Sequence, residues 1–186
     1  MSTRAGQLLV AAPVLRDPHF RRAVVLVLDD DNDGTLGVIL NRPLETRVDV
    51  VLPDWDGTVS SPDALFGGGP VAPDSAIAVG LLNGGPDSES PLGFRPMHGR
   101  IGLVDLDTPV EVVAAALAGM RVFAGYAGWS AGQLDDEIDE GAWFLVDAWD
   151  EDLTTAVPSR LWTSVLRRQP GELRLLSTYP DDPTHN

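Results

Sequence analysis

Apolar residues along the chain fall in short, mostly continuous runs, a pattern that predicts strands more often than helices. The clearest runs are Gln7–Ala12, Ala23–Leu28 and Thr35–Leu40. Continuous runs of this length are typical of strands buried on both faces, and Ala23–Leu28 is also rich in β-branched residues. The same pattern predicts further strands at Ser75–Leu82, Arg100–Leu106, Arg121–Ala124 and Ala142–Val146.

Helical patterns are fewer and most of them come late in the chain. A capping box at Thr108–Glu111 predicts a helix that continues to Gly119. Ser130, paired with Gln133, predicts a second capping box and a second helix. Pro158–Arg168 predicts a third helix with one apolar face.

The order of these elements favours an α+β fold. Strands outnumber helices, and the first half shows no alternation of strand and helix, so we predict a mixed, largely antiparallel sheet with flanking helices. We expect a single domain over residues 1–186, with a long surface loop at Asn83–Pro96 and a flexible tail at residues 177–186.

Composition narrows the function classes. The formal net charge is −15, all 13 basic residues are arginine, and there is no cysteine. An acidic chain repels phosphate backbones, so direct nucleic-acid binding is not expected. Four arginines near the C-terminus are predicted to lie on a solvated helix face: Arg160, Arg167, Arg168 and Arg174. No apolar run approaches the length of a membrane helix and no signal peptide is evident, so we expect no membrane partner and a cytoplasmic location.

An acidic turn lies between the second and third predicted strands. Asp29, Asp31, Asp33 and Gly34 match the opening of an EF-hand loop, but Leu40 stands where the closing glutamate is required. We therefore predict a solvated hairpin turn and no metal site or cofactor.

The stretch Gly125–Ile138 combines three glycines, two aromatic residues and a polar cluster. Within it, Gly128–Gly132 matches the G-x-S-x-G nucleophile elbow of α/β-hydrolases, with Ser130 as nucleophile. The hydrolase order requires a later histidine, and the chain offers only His185 near its end. We predict that Ser130 caps a helix and that the chain has no catalytic residue, with the hydrolase as the alternative.

Three polar or glycine-rich segments follow predicted strands, and we expect them to converge in one cleft that binds a ligand. The predicted ligand-binding residues are Asn41, Arg42, Gly68, Gly69, Tyr126, Trp129 and Gln133. In the enzymatic alternative, Gly67–Gly69 form a backbone nest for a phosphate together with Arg42. In the structural alternative, the glycines serve close chain crossings, Tyr126 and Trp129 are core residues and Gln133 completes a helix cap.

Five motifs together resemble the AlgH/YqgE family of bacterial proteins. They are G-Q-L-L-V-A-A-P from Gly6, G-V-I-L-N-R-P at Gly37–Pro43, G-G-P-V at Gly68–Val71, G-Y-A-G-W-x-x-G-Q-L-x-x-E-I at Gly125–Ile138, and Trp143 with Trp162. The resemblance covers about residues 6–169 and implies an open, barrel-like sheet with helices outside. It also implies a transcriptional regulator of unproven mechanism.

Two departures limit what the resemblance implies. Many members have a Leu-His pair after G-G-P-V, whereas this chain has Ala76–Gly80 and no histidine there. The family also tolerates several residues at the position of Ser130. We therefore predict a non-enzymatic regulatory or binding protein that acts through a protein partner or a small ligand, with a hydrolase or phosphate-ligand enzyme as the alternative.

Overall fold

The computed structural model describes residues 3–85 and 87–181. Its ten strands are β1 (Gln7–Ala11), β2 (Val24–Asp31), β3 (Gly34–Ile39), β4 (Pro43–Arg47), β5 (Ala64–Gly67), β6 (Val71–Leu82), β7 (Phe94–His98), β8 (Ile101–Val104), β9 (Leu117–Ser130) and β10 (Trp143–Asp147). The α-helices are α1 (Val48–Val51), α2 (Val110–Val113), α3 (Gln133–Asp139), α4 (Asp150–Thr154), α5 (Leu161–Arg167) and α6 (Glu172–Leu176). Three 3₁₀ helices span Pro53–Trp55, Ala114–Ala116 and Pro158–Arg160.

The ten strands form one curled sheet, which confirms the predicted α+β class with a mixed, largely antiparallel sheet. Eight strands follow the order β10-β1-β2-β3-β9-β6-β8-β7, all paired antiparallel. Strand β5 pairs antiparallel with β4 and parallel with β9. The sheet forms a half-barrel with helices outside it, as the family resemblance implies.

Strand β9 organises the sheet, because its two halves pair with different strands. Its first half pairs with β6 and its last four residues pair with β3. The sequence predicted a tight turn from Gly125 to Ser130, and that prediction is wrong because the strand continues to Ser130. At Gly125 the strand has a φ of +74°, and the register with β6 shifts between Val71 and Ala76. Gly125 therefore permits a β-bulge within the strand and does not form a turn.

Strands β1, β2 and β3 are buried on both faces, as their continuous apolar runs predicted. On one face, Leu8, Leu26 and Val38 pack with α5 residues in one hydrophobic cluster. On the other face, Leu9 and Val25 pack with α3 and with the indoles of the later strands. Most of the apolar residues predicted to face the core are buried, namely Leu134, Leu161, Trp162, Val165 and Leu166, whereas Ile138 is only partly buried.

Several predicted element boundaries are wrong. Helix α2 begins after Pro109 without a side-chain cap, so the predicted capping box is absent there. The chain is already extended at Leu117, because β9 begins before the predicted helix end at Gly119. Strand β7 starts at Phe94, inside the predicted surface loop. Of the predicted tail, residues 182–186 lie outside the described residues.

Within the described ranges, no helix is long and apolar enough to cross a membrane.

Candidate functional site

The glycine segments of the predicted cleft meet at a close chain crossing. A Cβ atom at Gly68 would lie 2.2 Å from the carbonyl oxygen of Gly125, and one at Gly69 would lie 2.2 Å from that of Tyr126. Gly68 donates its N–H to Ala124 O at 2.9 Å, and Gly67 donates to the carbonyl of Arg42 at 2.8 Å. These N–H groups are therefore engaged by backbone carbonyls and are not free to form the predicted anion nest.

Asn41 and Arg42 hold the chain near the start of β2. The Asn41 side chain accepts the N–H of Val24 at 3.0 Å and donates to the carbonyl of Arg22 at 2.9 Å. The Arg42 guanidinium donates to the carbonyl oxygens of Arg21 and Asn41. Partial burial lowers the pKa of Arg42 below its ordinary value. Asn41 is thus a buried residue that links two backbone groups through its side chain. Arg42 carries a positive charge next to Arg21.

Trp129 and Gln133 meet at a carboxylate that the sequence analysis did not single out. Glu137 accepts the indole N–H groups of Trp129 and Trp143, each at 2.9 Å, through one oxygen. Its other oxygen accepts the amide of Gln133 at 2.9 Å. Phe20 packs against both indoles, with ring centroids 6.0 and 5.5 Å away. The spacing of four between Gln133 and Glu137 was a signal that could have indicated this network.

The seven predicted ligand-binding residues are only partly brought together. Tyr126 and Trp129 differ by three positions on a regular part of β9, so their side chains project to opposite faces of the sheet. Tyr126 packs against the α5 side, whereas Trp129 lies in the cluster with Trp143. The glycines of the crossing lie beside Arg42 and Tyr126, and Gln133 lies on α3. Ligand binding by these residues stays a prediction.

A cavity lies at the end of β9, and we call it the hairpin groove. Its volume is about 910 Å³. It lies between the N-terminal segment, the β2–β3 turn and α3, and its lining includes Arg4, Asp30, Thr35, Ser130 and Asp135. Ser130 and Gly132 of the central glycine-rich stretch line it, whereas none of the seven predicted ligand-binding residues does.

An ion-pair network fixes the polar wall of the groove. Arg4 bridges Asp30 at 3.0 Å and Asp135 at 2.8 Å, and its own N–H donates to Asp30 at 2.9 Å. The hydroxyl of Thr35 donates to the other oxygen of Asp30 at 2.6 Å. Burial by itself would raise the pKa of Asp30, but the hydrogen bonds from Thr35 and Arg4 outweigh it and the pKa is lowered. Asp30 therefore stays ionised and Arg4 is held in place.

The contacts of Ser130 fit neither of its two predicted roles fully, the helix cap or the hydrolase nucleophile. Its backbone N–H donates to Gln133 Oε1 at 3.0 Å, which is one half of the predicted capping box. The hydroxyl does not cap the helix, because it lies 3.2 Å from the same Oε1 and α3 begins after Gly132. The hydroxyl thus has an amide as its partner, where the nucleophile elbow would require a histidine.

The acidic segment beside the groove forms a hairpin, as predicted, but the turn is shorter than predicted because β2 continues to Asp31 and β3 begins at Gly34. Strands β2 and β3 pair on either side of it, with Asp31 opposite Gly34. Asp31 accepts the N–H of Asp33 at 2.8 Å, which closes the turn locally. Over residues 3–85 and 87–181, no group of three or more His, Cys, Asp or Glu side chains is arranged to hold a metal ion.

Comparison with known proteins identifies the family. A family model described as AlgH-like matches residues 8–174. A UPF0301 protein of Streptomyces coelicolor is 52% identical over 187 residues, which cover 100% of this chain and 97% of that protein. The chain belongs to the AlgH-like family. A UPF0301 protein of Mycobacterium tuberculosis is 45% identical over 183 residues, covering 98% of this chain and 91% of that protein.

Two solved structures resemble this AlgH-like chain. A crystal structure of a Corynebacterium diphtheriae protein matches with a TM-score of 0.90 and 35% identity, covering 96% of this chain and 93% of that one. The solution structure of the AlgH protein from Pseudomonas aeruginosa matches with a TM-score of 0.70 and 23% identity, covering 96% and 95%. The second likeness shows the fold alone. The resemblance stated from the motifs is therefore confirmed, whereas the regulatory role that it implied stays a prediction.

Proposed function

We propose that this AlgH-like chain is a non-enzymatic binding protein whose ligand occupies the hairpin groove. The observation that carries the proposal is the groove itself, a cavity of about 910 Å³ where three separate segments of the chain meet. A volume of several hundred Å³ is typical of small-molecule sites. The segments that line it are anchored on strands and on α3, so the site is formed before a ligand arrives.

The lining indicates the chemistry of the ligand. Asp30, Asp31 and Asp135 contribute three carboxylates, against one guanidinium from Arg4, so the potential in the groove is negative. Thr35 and Ser130 add hydroxyl groups, and an apolar patch is added by Leu134, Ile138 and Leu145. This combination suits a neutral or cationic group with an apolar part, either a small molecule or a basic side chain of a protein partner.

The bonding of the polar groups supports binding over catalysis. Asp30 accepts hydrogen bonds from both Arg4 and Thr35, which hold it as a stable anion and not as a base poised near neutral pH. The hydroxyl of Ser130 lies against the oxygen of an amide, which accepts its proton in a hydrogen bond but does not abstract it. Such groups orient a ligand by fixed hydrogen bonds and charges.

Copurification with matched charge-reversal variants tests the proposal. Asp135 and Asp136 both lie in the first turn of α3 and both are exposed, but only Asp135 lines the groove. The wild-type chain and the variants Asp135→Lys and Asp136→Lys are each purified from a bacterial lysate, and bound species are identified by mass spectrometry. We expect a species that is recovered with the wild type and with Asp136→Lys and is lost with Asp135→Lys.

Equal recovery with both variants, or no bound species with any of them, would overturn the groove as the binding site. The hydrolase alternative has a separate readout. A fluorophosphonate probe should not label the wild-type chain more than it labels Ser130→Ala. Labelling that disappears in Ser130→Ala would show an activated serine and would replace the binding proposal with an enzymatic one.

A further inference from the structure

Away from the groove, four arginines lie close together on one surface. We call Arg16, Arg21, Arg22 and Arg42 the arginine surface. The first three line a depression of about 380 Å³ together with Pro13 and with Tyr179–Asp181. The Arg42 guanidinium joins them by donating to the carbonyl of Arg21. The whole chain carries a net charge of −15, so a group of four arginines forms a positively charged patch on an otherwise acidic protein.

The protein holds this surface in a defined shape. The Arg22 guanidinium stacks over the Trp162 ring, 4.2 Å from its centroid. The backbone of Arg22 has a φ of +53°, a region that a residue with a side chain seldom adopts. The Asn41 side chain fixes that conformation by binding the carbonyl of Arg22 and the N–H of Val24. A surface that is fixed before binding loses less conformational entropy when a partner docks.

The chain's own C-terminal segment already lies on the arginine surface. The guanidinium of Arg22 donates to the carbonyl of Tyr179, and that of Arg21 donates to the carbonyl of Asp181. The Asp181 carboxylate pairs with Arg22 Nε at 2.9 Å. The occupant is thus a short peptide segment that offers main-chain carbonyls and a carboxylate.

We propose that the arginine surface is a docking site for an acidic segment of a protein partner, and that Tyr179–Asp181 occupy it in the free protein. The contacts show what the surface accepts, because every one of them goes to a carbonyl or carboxylate oxygen. The Asp181 side chain is 79% exposed, so its ion pair is weak enough to be displaced. The tail therefore acts as a tethered competitor that a more acidic segment replaces. The proposal does not depend on the hairpin groove.

The test uses a peptide with the sequence of the chain's own tail as the probe. A fluorescein-labelled peptide with the sequence of residues 177–186 is titrated with the full chain and with a chain that ends at Leu176, in low salt, and fluorescence anisotropy is recorded. A tethered competitor has an effective concentration of about 1 mM, so a peptide with an intrinsic Kd of about 0.1 mM should bind the shortened chain about tenfold more tightly. Added salt should weaken the binding, because the contacts are ionic.

Variants assign the binding to the arginine surface. In the shortened chain, Arg21→Ala should abolish binding, because its guanidinium is aimed at the tail and its loss removes no core contact. Arg95→Ala is the matched control, since Arg95 is exposed on β7, away from this surface. Urea unfolding of both variants confirms that they are folded.

Three results would overturn the proposal. The first is equal affinity of the full and shortened chains for the peptide. The second is equal affinity for a peptide in which both aspartates are replaced by asparagine, because charge would then play no role. The third is tighter binding of a single-stranded DNA oligonucleotide of equal charge, which would assign the surface to nucleic acid.

Discussion

Arg121 is a charged residue in the core of the sheet, and its replacement provides a stringent test of the structure. Its side chain is buried, with only 1% of the residue exposed. The guanidinium donates to the carbonyls of Leu153 at 3.0 Å, Ser61 at 2.6 Å and Thr155 at 3.1 Å, and it lies 4.3 Å from the centroid of the Phe66 ring. No carboxylate in the described part of the chain pairs with it. Burial lowers the pKa of Arg121 to about 10.

Two opposing contributions determine how Arg121→Met changes the free energy of unfolding. Lowering the pKa from its ordinary value to about 10 costs the charged side chain about 3 kcal/mol, and methionine removes that cost. Methionine also leaves three carbonyls without a donor, at about 2 kcal/mol each, or about 6 kcal/mol together. Methionine retains apolar contact with Phe66. We therefore expect the free energy of unfolding to fall by about 3 kcal/mol.

Urea unfolding followed by tryptophan fluorescence measures this loss, because the chain has five tryptophans. Arg95→Met is the matched control, since Arg95 is exposed and its replacement should change stability by less than about 0.5 kcal/mol. If Arg121→Met is as stable as the wild type or more stable, the three hydrogen bonds do not outweigh the cost of the buried charge. Arg121 would then not stabilise the contact between β9 and the end of α4.

Four further predictions follow from single features of the molecule. In Arg121→Lys, burial should lower the pKa of the amine, so the folded state binds its proton less tightly than the unfolded state does. Its free energy of unfolding, relative to wild type, should then rise between about pH 8 and pH 10 in urea titrations. Glu137→Ala leaves two indole N–H groups unpaired and should cost about 2–4 kcal/mol by urea unfolding, whereas Glu140→Ala should cost little. The acidic hairpin segment Asp29–Asp33 lacks the closing glutamate of a calcium loop, so calorimetry should show calcium binding no tighter than about 1 mM; micromolar affinity lost in Asp31→Asn would contradict this. The net charge of −15 should prevent binding of random duplex DNA at about 150 mM salt, and micromolar affinity in a gel shift would refute that prediction.

The parts of the fold that depend on local pattern could be predicted from the sequence. Continuous apolar runs gave β1, β2 and β3 with nearly correct bounds, and the acidic turn gave the β2–β3 hairpin. The spacing of Leu161, Trp162, Val165 and Leu166 gave the buried face of α5. Each of these signals lies within a few residues of the element that it predicts.

The parts that depend on distant contacts could not be predicted. Gly125 resembled a turn residue, but a backbone crossing with Gly69 and a bulge opposite β6 determine its conformation. Arg121 resembled an end of a strand, but carbonyls from distant parts of the chain, Ser61 and the end of α4, accept its hydrogen bonds and keep it buried. Arg168 was expected on a solvated helix face, but it pairs with Asp152 at 2.6 Å and lies over the Trp149 ring.

The candidate sites likewise combine features with a local sequence signal and features that depend on contacts between distant residues. Ser130 of the glycine-rich stretch lies in one wall of the hairpin groove, but the sequence predicted Tyr126, Trp129 and Gln133 as the binding residues of that stretch. The opposite wall needs Arg4 and Asp30, which lie 26 residues apart and meet only in the folded chain. The arginine surface likewise joins Arg21 to Asp181 across 160 residues. No spacing rule connects residues at such distances.

Chemical-shift mapping shows directly whether a ligand binds in the hairpin groove. The species recovered with the wild-type chain is added to ¹⁵N-labelled protein, and changes in backbone amide shifts are assigned to residues. We expect the largest changes in residues 3–7, 30–35 and 130–138, which surround the groove. Changes centred instead on Arg42 and Gly67–Gly69, with the groove unaffected, would contradict this expectation.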